Sequence, residues 1–344
     1  SLNFYFIRTN YFSIFIKSKL RMSRWILIGG AGLTGLKIAE DLIDRNRPNS
    51  KIIIADLKDS LDKVNINVKK VYCDISKNIL PRFDKDDIII HLAARQYHLE
   101  IPKRNKLSWF REVNVKGTQN VINHCLKYKV RGLIFFSTDM VYGMPNFVPL
   151  TTNHPKNPIG PYGQSKLEAE ELCFLARKKG LAVTILRPRL IMGKGRLGIM
   201  KKLFKSIFHN LPVPLVGNGK NCYQMVSVKD CSEATLLSVE KNIPNCELNL
   251  GSEVGPDVKT LLNYLIKKVN SKSIILPLPA FPLKILLLIF EKMGLPILHK
   301  EQYKIADKNY IVDISDTYSK IGWKPKLSDK DMIIEAYNYW KNIR

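Results

Sequence analysis

The chain is short of acids, of paired cysteines and of uninterrupted apolar runs. It carries 30 Asp and Glu against 55 Lys and Arg, a formal net charge of +25. Such an excess suits nucleic acid, an anionic membrane or small anionic substrates. It is mostly lysine, however, spread among isoleucines and asparagines as a biased codon composition would leave it, so no nucleic-acid partner is expected. The six cysteines (Cys73, Cys125, Cys173, Cys222, Cys231 and Cys246) include no Cys-x-x-Cys pair. Several stand in apolar segments, which points to reduced thiols and a cytoplasmic setting. The six histidines are scattered, so no metal site is expected. The most apolar segment, Ile274 to Phe290, is broken by Pro277, Pro279, Pro282 and Lys284. Its clean helical part is about a dozen residues, too short to span a bilayer. It reads as a helix lining a second lobe, with a lipid-facing or acyl-binding surface as the alternative. No repeat or low-complexity tract is evident.

What is present centres on Trp25 to Gly35, Trp-Ile-Leu-Ile-Gly-Gly-Ala-Gly-Leu-Thr-Gly. Four apolar residues bounded by glycine read as a buried parallel strand. Glycines at 29, 32 and 35 follow, and Leu36, Ala39, Leu42 and Ile43 then recur at helical spacing. Gly29 permits a tight turn, Gly32 lets the main chain approach a pyrophosphate, and Gly35 lets helix and strand pack closely. At the end of Lys51-Ile-Ile-Ile-Ala-Asp56, 21 residues after Gly35, an acid stands where a ribose diol would be held. Ordinary turns also use glycine. Strand, loop, helix, strand and acid in register make a dinucleotide site.

Further strands are expected at Val68 to Asp74, Ile88 to Leu92, Gly132 to Ser137, Ala182 to Leu186 and Cys246 to Leu250. Helices are expected at Trp109 to Tyr128, Tyr162 to Lys179, Ile199 to Phe208 and Lys229 to Glu240. Alternation of this kind argues a doubly wound parallel sheet. Residues 1–21 are aromatic and basic, and Met22-Ser23-Arg24 precedes the first core strand as a natural start would. An organelle-targeting or membrane-surface segment would also fit; the expectation is a leader outside the fold.

Tyr162-Gly-Gln-Ser-Lys166 sets a phenol and an ammonium four residues apart, on one helical face. The ammonium favours the phenolate and makes the tyrosine a usable acid/base. Any solvated helix can carry such a pair by chance. Here Phe135-Phe136-Ser137-Thr138-Asp139 precedes it and ends a strand at the sheet edge where ligands bind, so Thr138 can hold the oxygen that Tyr162 titrates.

These residues resemble the extended short-chain dehydrogenase/reductases of the NAD-dependent epimerase/dehydratase type. The resemblance rests on the 29–35 glycines, His91-Leu-Ala-Ala94, Asn114-Val-Lys-Gly-Thr118, Ser137-Thr-Asp with Val141-Tyr-Gly143, Tyr162-Gly-x-Ser-Lys166, Arg187-Pro188 and Val228-Lys-Asp230. It is dense over residues 24–250 and loose beyond. It implies an α/β fold, a Rossmann-type doubly wound parallel sheet with a smaller C-terminal substrate lobe. It implies NAD as cofactor and Thr138, Tyr162 and Lys166 as the catalytic set. Asp74 and Ile75 would flank the adenine, and Ala93, Ala94 and Pro188 would line the cofactor. Leu33, Leu92 and Asn114 complete the implied cofactor set, with Tyr162 and Lys166 themselves.

The departures are informative. Dehydratases of the family carry Asp-Glu after the threonine, and here the pair is Asp139-Met140. Nucleotide-sugar epimerases often have Asn where this chain has Leu190, and Arg at or near Tyr223. Lys194, Arg196, Lys201, Lys202 or Lys220 could replace those diphosphate contacts. The expected activity is NAD-dependent epimerisation of a nucleoside-diphosphate sugar. One rival is an NAD(P)-dependent dehydrogenase or reductase of an apolar, steroid- or lipid-like alcohol, with 274–290 as its wall. The other is a non-catalytic cofactor-sensing or nucleic-acid-binding protein, against which the retained Tyr/Lys pair counts. Residues 22–190 with 226–251 would form the cofactor domain, and 191–225 with 252–344 the substrate lobe. The helices at 109–128 and 162–179 resemble the pair that builds a two-fold interface in the family, so a homodimer is expected.

Overall fold

The computed structural model describes residues 23–195 and 200–343. The expected leader at 1–21 and the candidate Arg196 lie outside the described residues. Seven strands form one sheet: β1 (Trp25–Ile28), β2 (Ile52–Asp56), β3 (Lys69–Tyr72), β4 (Ile88–His91), β5 (Gly132–Phe136), β6 (Val183–Pro188) and, after an excursion through β7 (Leu190–Met192), β8 (Val213–Val216) and β9 (Met225–Ser227), β10 (Glu247–Leu250). The spatial order is β10-β6-β5-β4-β1-β2-β3, and every neighbour pair is parallel.

Strand side chains alternate between faces, so each apolar run supplies two cores. Leu27, Ile54, Ile90, Ile134, Leu186 and Leu248 face one way and pack on Ile38, Leu42 and Val239 of the helices Leu33–Asp44 and Val228–Glu240. Ile26, Ile28, Ile53, Ile89, Leu133, Phe135 and Ile185 face the other way. They pack on Val121, Cys125, Ala169 and Cys173 of the helices Thr118–Tyr128 and Pro161–Lys178. Fully burying each such side chain is worth about 1.5–3 kcal/mol. Continuous runs such as Ile52-Ile-Ile-Ala read as strands because both faces are covered.

Outside the sheet, a third cluster joins Met192, Phe204, Met225, Leu262, Ile333 and Trp340. There β7 pairs with β9, and β8 with β11 (Ile275–Leu278). The chain passes β2 on one side of β1 and β4 on the other, which opens a crevice beyond their carboxyl ends.

Two elements differ from expectation. The helix foreseen over 109–128 is interrupted: Lys106–Arg111 and Thr118–Tyr128 flank a π-type turn, Glu112–Gly117. A Cβ at Gly117 would fall 2.6 Å from Ile75 Cδ1, so the turn sits hard against the loop after β3. The apolar stretch 274–290 gives β11 and the helix Ala280–Lys292, of which only Leu287 is buried. Most of its apolar side chains are turned outward, and the second core is built instead on the helices Val258–Lys268 and Asp329–Asn342. Among the described residues no helix is long and apolar enough to cross a membrane.

Candidate active site

The crevice is lined first by the glycine loop. Gly29 has φ +77° and donates its N–H to Ala55 O at 2.8 Å. A Cβ there would lie 2.6 Å from Ala93 Cα, so only glycine lets the loop meet the end of β4. Leu92 and Ala93 in turn donate to Ile28 O at 2.8 and 3.0 Å. Gly35 faces Gly30 Cα at 2.5 Å from its would-be Cβ, so it admits the helix onto the loop rather than onto the strand. Gly30, which the spacing argument passed over, is needed equally: its Cβ would fall 2.6 Å from Leu27 O. Gly32 is the open member, its Cβ meeting nothing nearer than Gly29 O at 3.5 Å. It caps the helix Leu33–Asp44 and offers no side-chain acceptor to the first turn. A diphosphate suits that terminus, since its N–H groups need an acceptor and its dipole favours an anion. Leu33 borders Gly193 across the crevice.

Asp56 stands at the end of β2. Its Oδ2 accepts from Ala31 N at 3.0 Å and its Oδ1 from Leu57 N at 2.8 Å. Each oxygen keeps a further lone pair for a ribose hydroxyl. Burial raises this carboxyl above its usual range, against the pull of the two backbone donors. Asp74 spends Oδ1 on Ser76 N and Oγ, which orients Ile75 beneath it. Asn114 is fully buried in the π-type turn, where its side chain takes Arg95 N at 2.8 Å and donates to Arg95 O and to Ser165 Oγ. It therefore fastens the segment after Ala94 to the helix Pro161–Lys178, and its amide is committed within the protein.

Lys166 reaches the end of β5, and the helix that carries Tyr162 starts against the turn just after Thr138. Lys166 is buried and donates from Nζ to Phe136 O at 2.6 Å, with the Phe135 ring 4.1 Å away. Burial lowers its pKa to about 8. His91 lies below, bonded to Thr118 Oγ1 at 2.9 Å; burial, then the charge of Lys166, lowers its pKa to about 3 and keeps it neutral. Among the described residues the Thr138 hydroxyl makes long bonds, to Asp139 Oδ1 at 3.2 Å and from Met140 N at 3.3 Å. Gly163 lets the first turn of the Tyr162 helix rest on Met140, since its Cβ would fall 2.6 Å from Met140 O. The same helix is tied to β6 by a buried bidentate pair, Arg187 to Glu170 at 2.9 and 2.7 Å. Pro188 follows, also buried.

Three features escaped the sequence reading. Arg189, buried, donates to Asp139 Oδ2 at 2.6 Å and lies between the Tyr223 and Tyr310 rings at 4.1 and 4.3 Å. Tyr310 also donates to Asp139 O at 3.0 Å. A second arginine beside Arg187-Pro188 at the end of an otherwise apolar strand was the available signal. Glu301 is buried and accepts from Gly163 N at 3.1 Å, at the N-terminus of the Tyr162 helix. Burial raises its pKa to about 7, and its Oε2 has no hydrogen-bond partner among the described residues. Tyr97 places its ring 5.7 Å from Tyr162 and stacks on His299 at 4.2 Å. Behind it lies a cavity of about 310 Å³ bordered by Leu99, Lys103, Lys106, Lys292 and His299.

Comparison with known proteins places the chain in a family. Residues 25–251 match the NAD dependent epimerase/dehydratase family. The chain is 29% identical over 260 residues to the protein y4nG of Sinorhizobium fredii, covering 75% of this chain and 64% of that one. It is 28% identical over 246 residues to a UDP-glucose 4-epimerase of Vibrio cholerae, covering 69% and 72%. Its fold matches that of UDP-glucuronic acid 4-epimerase from Bacillus cereus in complex with NAD, with a TM-score of 0.72 at 20% identity over 93% of this chain and 99% of that one. With a glycine loop, an acid after β2 and a Tyr/Lys helix against the end of β5, the chain is an NAD-dependent enzyme and belongs to the NAD-dependent epimerase/dehydratase family.

Proposed function

We propose that the protein epimerises a nucleoside-diphosphate sugar. The observation that carries this reading is the Lys166 bond to Phe136 O, which holds the helix bearing Tyr162 against the strand end that precedes Thr138. The Gly29–Gly35 loop, Asp56, Ala93 and Pro188 would hold NAD, which when bound would supply a reversible hydride acceptor. Tyr162 takes the substrate hydroxyl proton onto its phenolate oxygen and later returns it. Thr138 Oγ1, whose present bonds are long, donates to the same substrate oxygen. Lys166 stabilises the phenolate and serves the nicotinamide ribose.

Two observations favour epimerisation over its rivals. Met140 stands where a dehydratase carries its glutamate, and Asp139 is spent on Arg189 and Thr138. An apolar-alcohol dehydrogenase would need the 274–290 segment as a pocket wall, whereas that helix turns its apolar side chains outward. Residues 191–225 and 252–344 are assigned to the sugar nucleotide, with Lys194, Lys201, Lys202 and Lys220 as diphosphate candidates. A two-fold dimer through the helices ending at Tyr128 and Lys178 belongs to the same reading. The helix ending at Lys178 carries the exposed Leu175, and its Glu168 accepts from Arg111, at the end of the helix Lys106–Arg111, at 2.8 and 2.6 Å. The cytoplasmic setting rests on cysteine usage.

The test is to incubate the purified chain with NAD and a panel of nucleotide sugars and follow the sugar protons by NMR. Interconversion of epimers without release of NADH supports the reading; stoichiometric NADH from an apolar alcohol overturns it. Sedimentation at micromolar concentration checks the dimer.

A further inference from the structure

From Ala280 to Ile297 large apolar side chains face outward in a block. Phe281 is 77% exposed, Ile285 44%, Leu286 48% and Ile289 48%; past the helix end, Met293 is 62% and Leu295 63% exposed. Positions 281, 285 and 289 adjoin 282, 286 and 293 on the helix surface, so they form one continuous face. A helix apolar nearly all round is normally buried, and a contiguous exposed patch marks an interaction surface.

The charges around this face have one sign. Exposed Lys292 lies in the last helical turn, and exposed Lys300 follows shortly. Lys103 packs on Gly294, and Lys202 reaches Ile297 O at 3.4 Å. The nearby acids are turned inward and compensated: Glu291 lies 3.7 Å from Lys106 and accepts from Tyr303, and Asp307 holds Lys284 at 2.5 Å.

We propose that this face docks on the surface of an anionic lipid bilayer. Phe281, Ile285, Leu286, Ile289 and Met293 enter the boundary between headgroups and acyl chains, and Lys103, Lys292 and Lys300 meet lipid phosphates. The helix is about 20 Å long at 1.5 Å per residue, so it lies in the interface and does not cross. A second copy of the chain is the poorer occupant. A two-fold contact would set one lysine rim against the other, between chains that each carry +25. An anionic bilayer presents the opposite sign on every side of the patch. The proposal is independent of which sugar is turned over.

Cosedimentation with lipid vesicles tests it, using the full chain throughout because residues 1–21 are also basic and aromatic. The parent protein is expected to bind vesicles of phosphatidylcholine mixed with phosphatidylglycerol, more weakly as salt rises. Changing Phe281→Ser, Ile285→Ser and Ile289→Ser together should weaken binding by at least ~10-fold, because three insertions are lost. These side chains are exposed, so the fold is expected to stand; Phe281→Ser alone gives a smaller loss if the triple variant fails to fold. Lys103→Gln with Lys292→Gln should weaken binding to anionic vesicles selectively. No binding by the parent overturns the proposal. So does a triple variant that binds as the parent does, since adhesion would then come from net charge alone. A parent oligomer that dissociates in the triple variant, without vesicle binding, assigns the face to a second copy and also overturns it.

Discussion

The ammonium of Lys166 donates to the carbonyl oxygen of Phe136 at 2.6 Å, two residues before Thr138. The bond crosses from helix to strand, so it ties the helix that carries Tyr162 to the strand end that precedes Thr138. Tyr162→Phe should lower turnover by about 10²–10⁴-fold, the worth of a positioned proton transfer, with little change in NAD affinity. Lys166→Met should lower both, because it would remove the proposed ribose contact as well. Steady-state rates with a cofactor titration check the pair, and a Tyr162→Phe protein at parental rate would end the catalytic assignment.

Cofactor choice should follow Asp56. Each of its oxygens keeps a lone pair that would suit a ribose diol, and its charge would repel a 2′-phosphate, so NAD is expected to bind more tightly than NADP. Asp56→Ser should weaken NAD by about 10–100-fold, from the loss of hydrogen bonds to a charged acceptor, and narrow the gap between the cofactors. Exposed Lys58, close by on the chain, is the residue to watch. Tighter binding of NADP by the parent would contradict this.

Arg189 and Asp139 form a buried ion pair, and removing one partner leaves a charge with nothing to answer it. Arg189→Met should cost about 3–5 kcal/mol of stability, read as a shift in the denaturation midpoint. Combining it with Asp139→Asn should recover part of that loss. A double variant whose cost equals the sum of the two single costs would show that the two groups are not coupled.

Glu301 should impose a pH dependence. Its folded pKa, about 7, lies above the ordinary 4.5. Between those values the native state holds the proton more tightly than the unfolded chain does. Stability from this group is therefore full below about pH 4.5 and falls as pH rises towards 7, then levels. Glu301→Gln should flatten that slope, by an amount on the order of 1–3 kcal/mol across the window. Thermal melts of both proteins between pH 5 and 8 measure it, and unchanged slopes would refute it.

Much of the fold was legible because its signals are local. Ile88-Ile-Ile, Gly132-Leu-Ile-Phe-Phe and the glycines after Ile28 carry their meaning within a few residues, and the structure places strands and turns there. Tyr162 and Lys166 were legible for the same reason, being one helical turn apart. The Arg189 cluster was not, because its partners come from positions 139, 223 and 310, three stretches with no shared periodicity. Glu301 reaches Gly163 across 138 residues, and no spacing rule links them. The break at Glu112–Gly117 was hidden for a subtler reason. Val113, Gly117 and Val121 fit a continuous helix, and only contact with Ile75 reveals the wider turn.

The position of β10 at the sheet edge has a consequence for how the chain is made. Leu248 pairs with Leu186, and Arg189 N donates to Leu250 O, so the strand that covers β6 arrives only after the whole excursion through β7, β8 and β9. At about 5–20 residues per second, a ribosome leaves the β6 edge bare for about 3–12 s. During that interval its row of unpaired N–H and C=O groups is a template for another nascent chain. Synthesis rate and chaperone supply, more than the final stability of the sheet, should therefore govern how much of this protein reaches its native form.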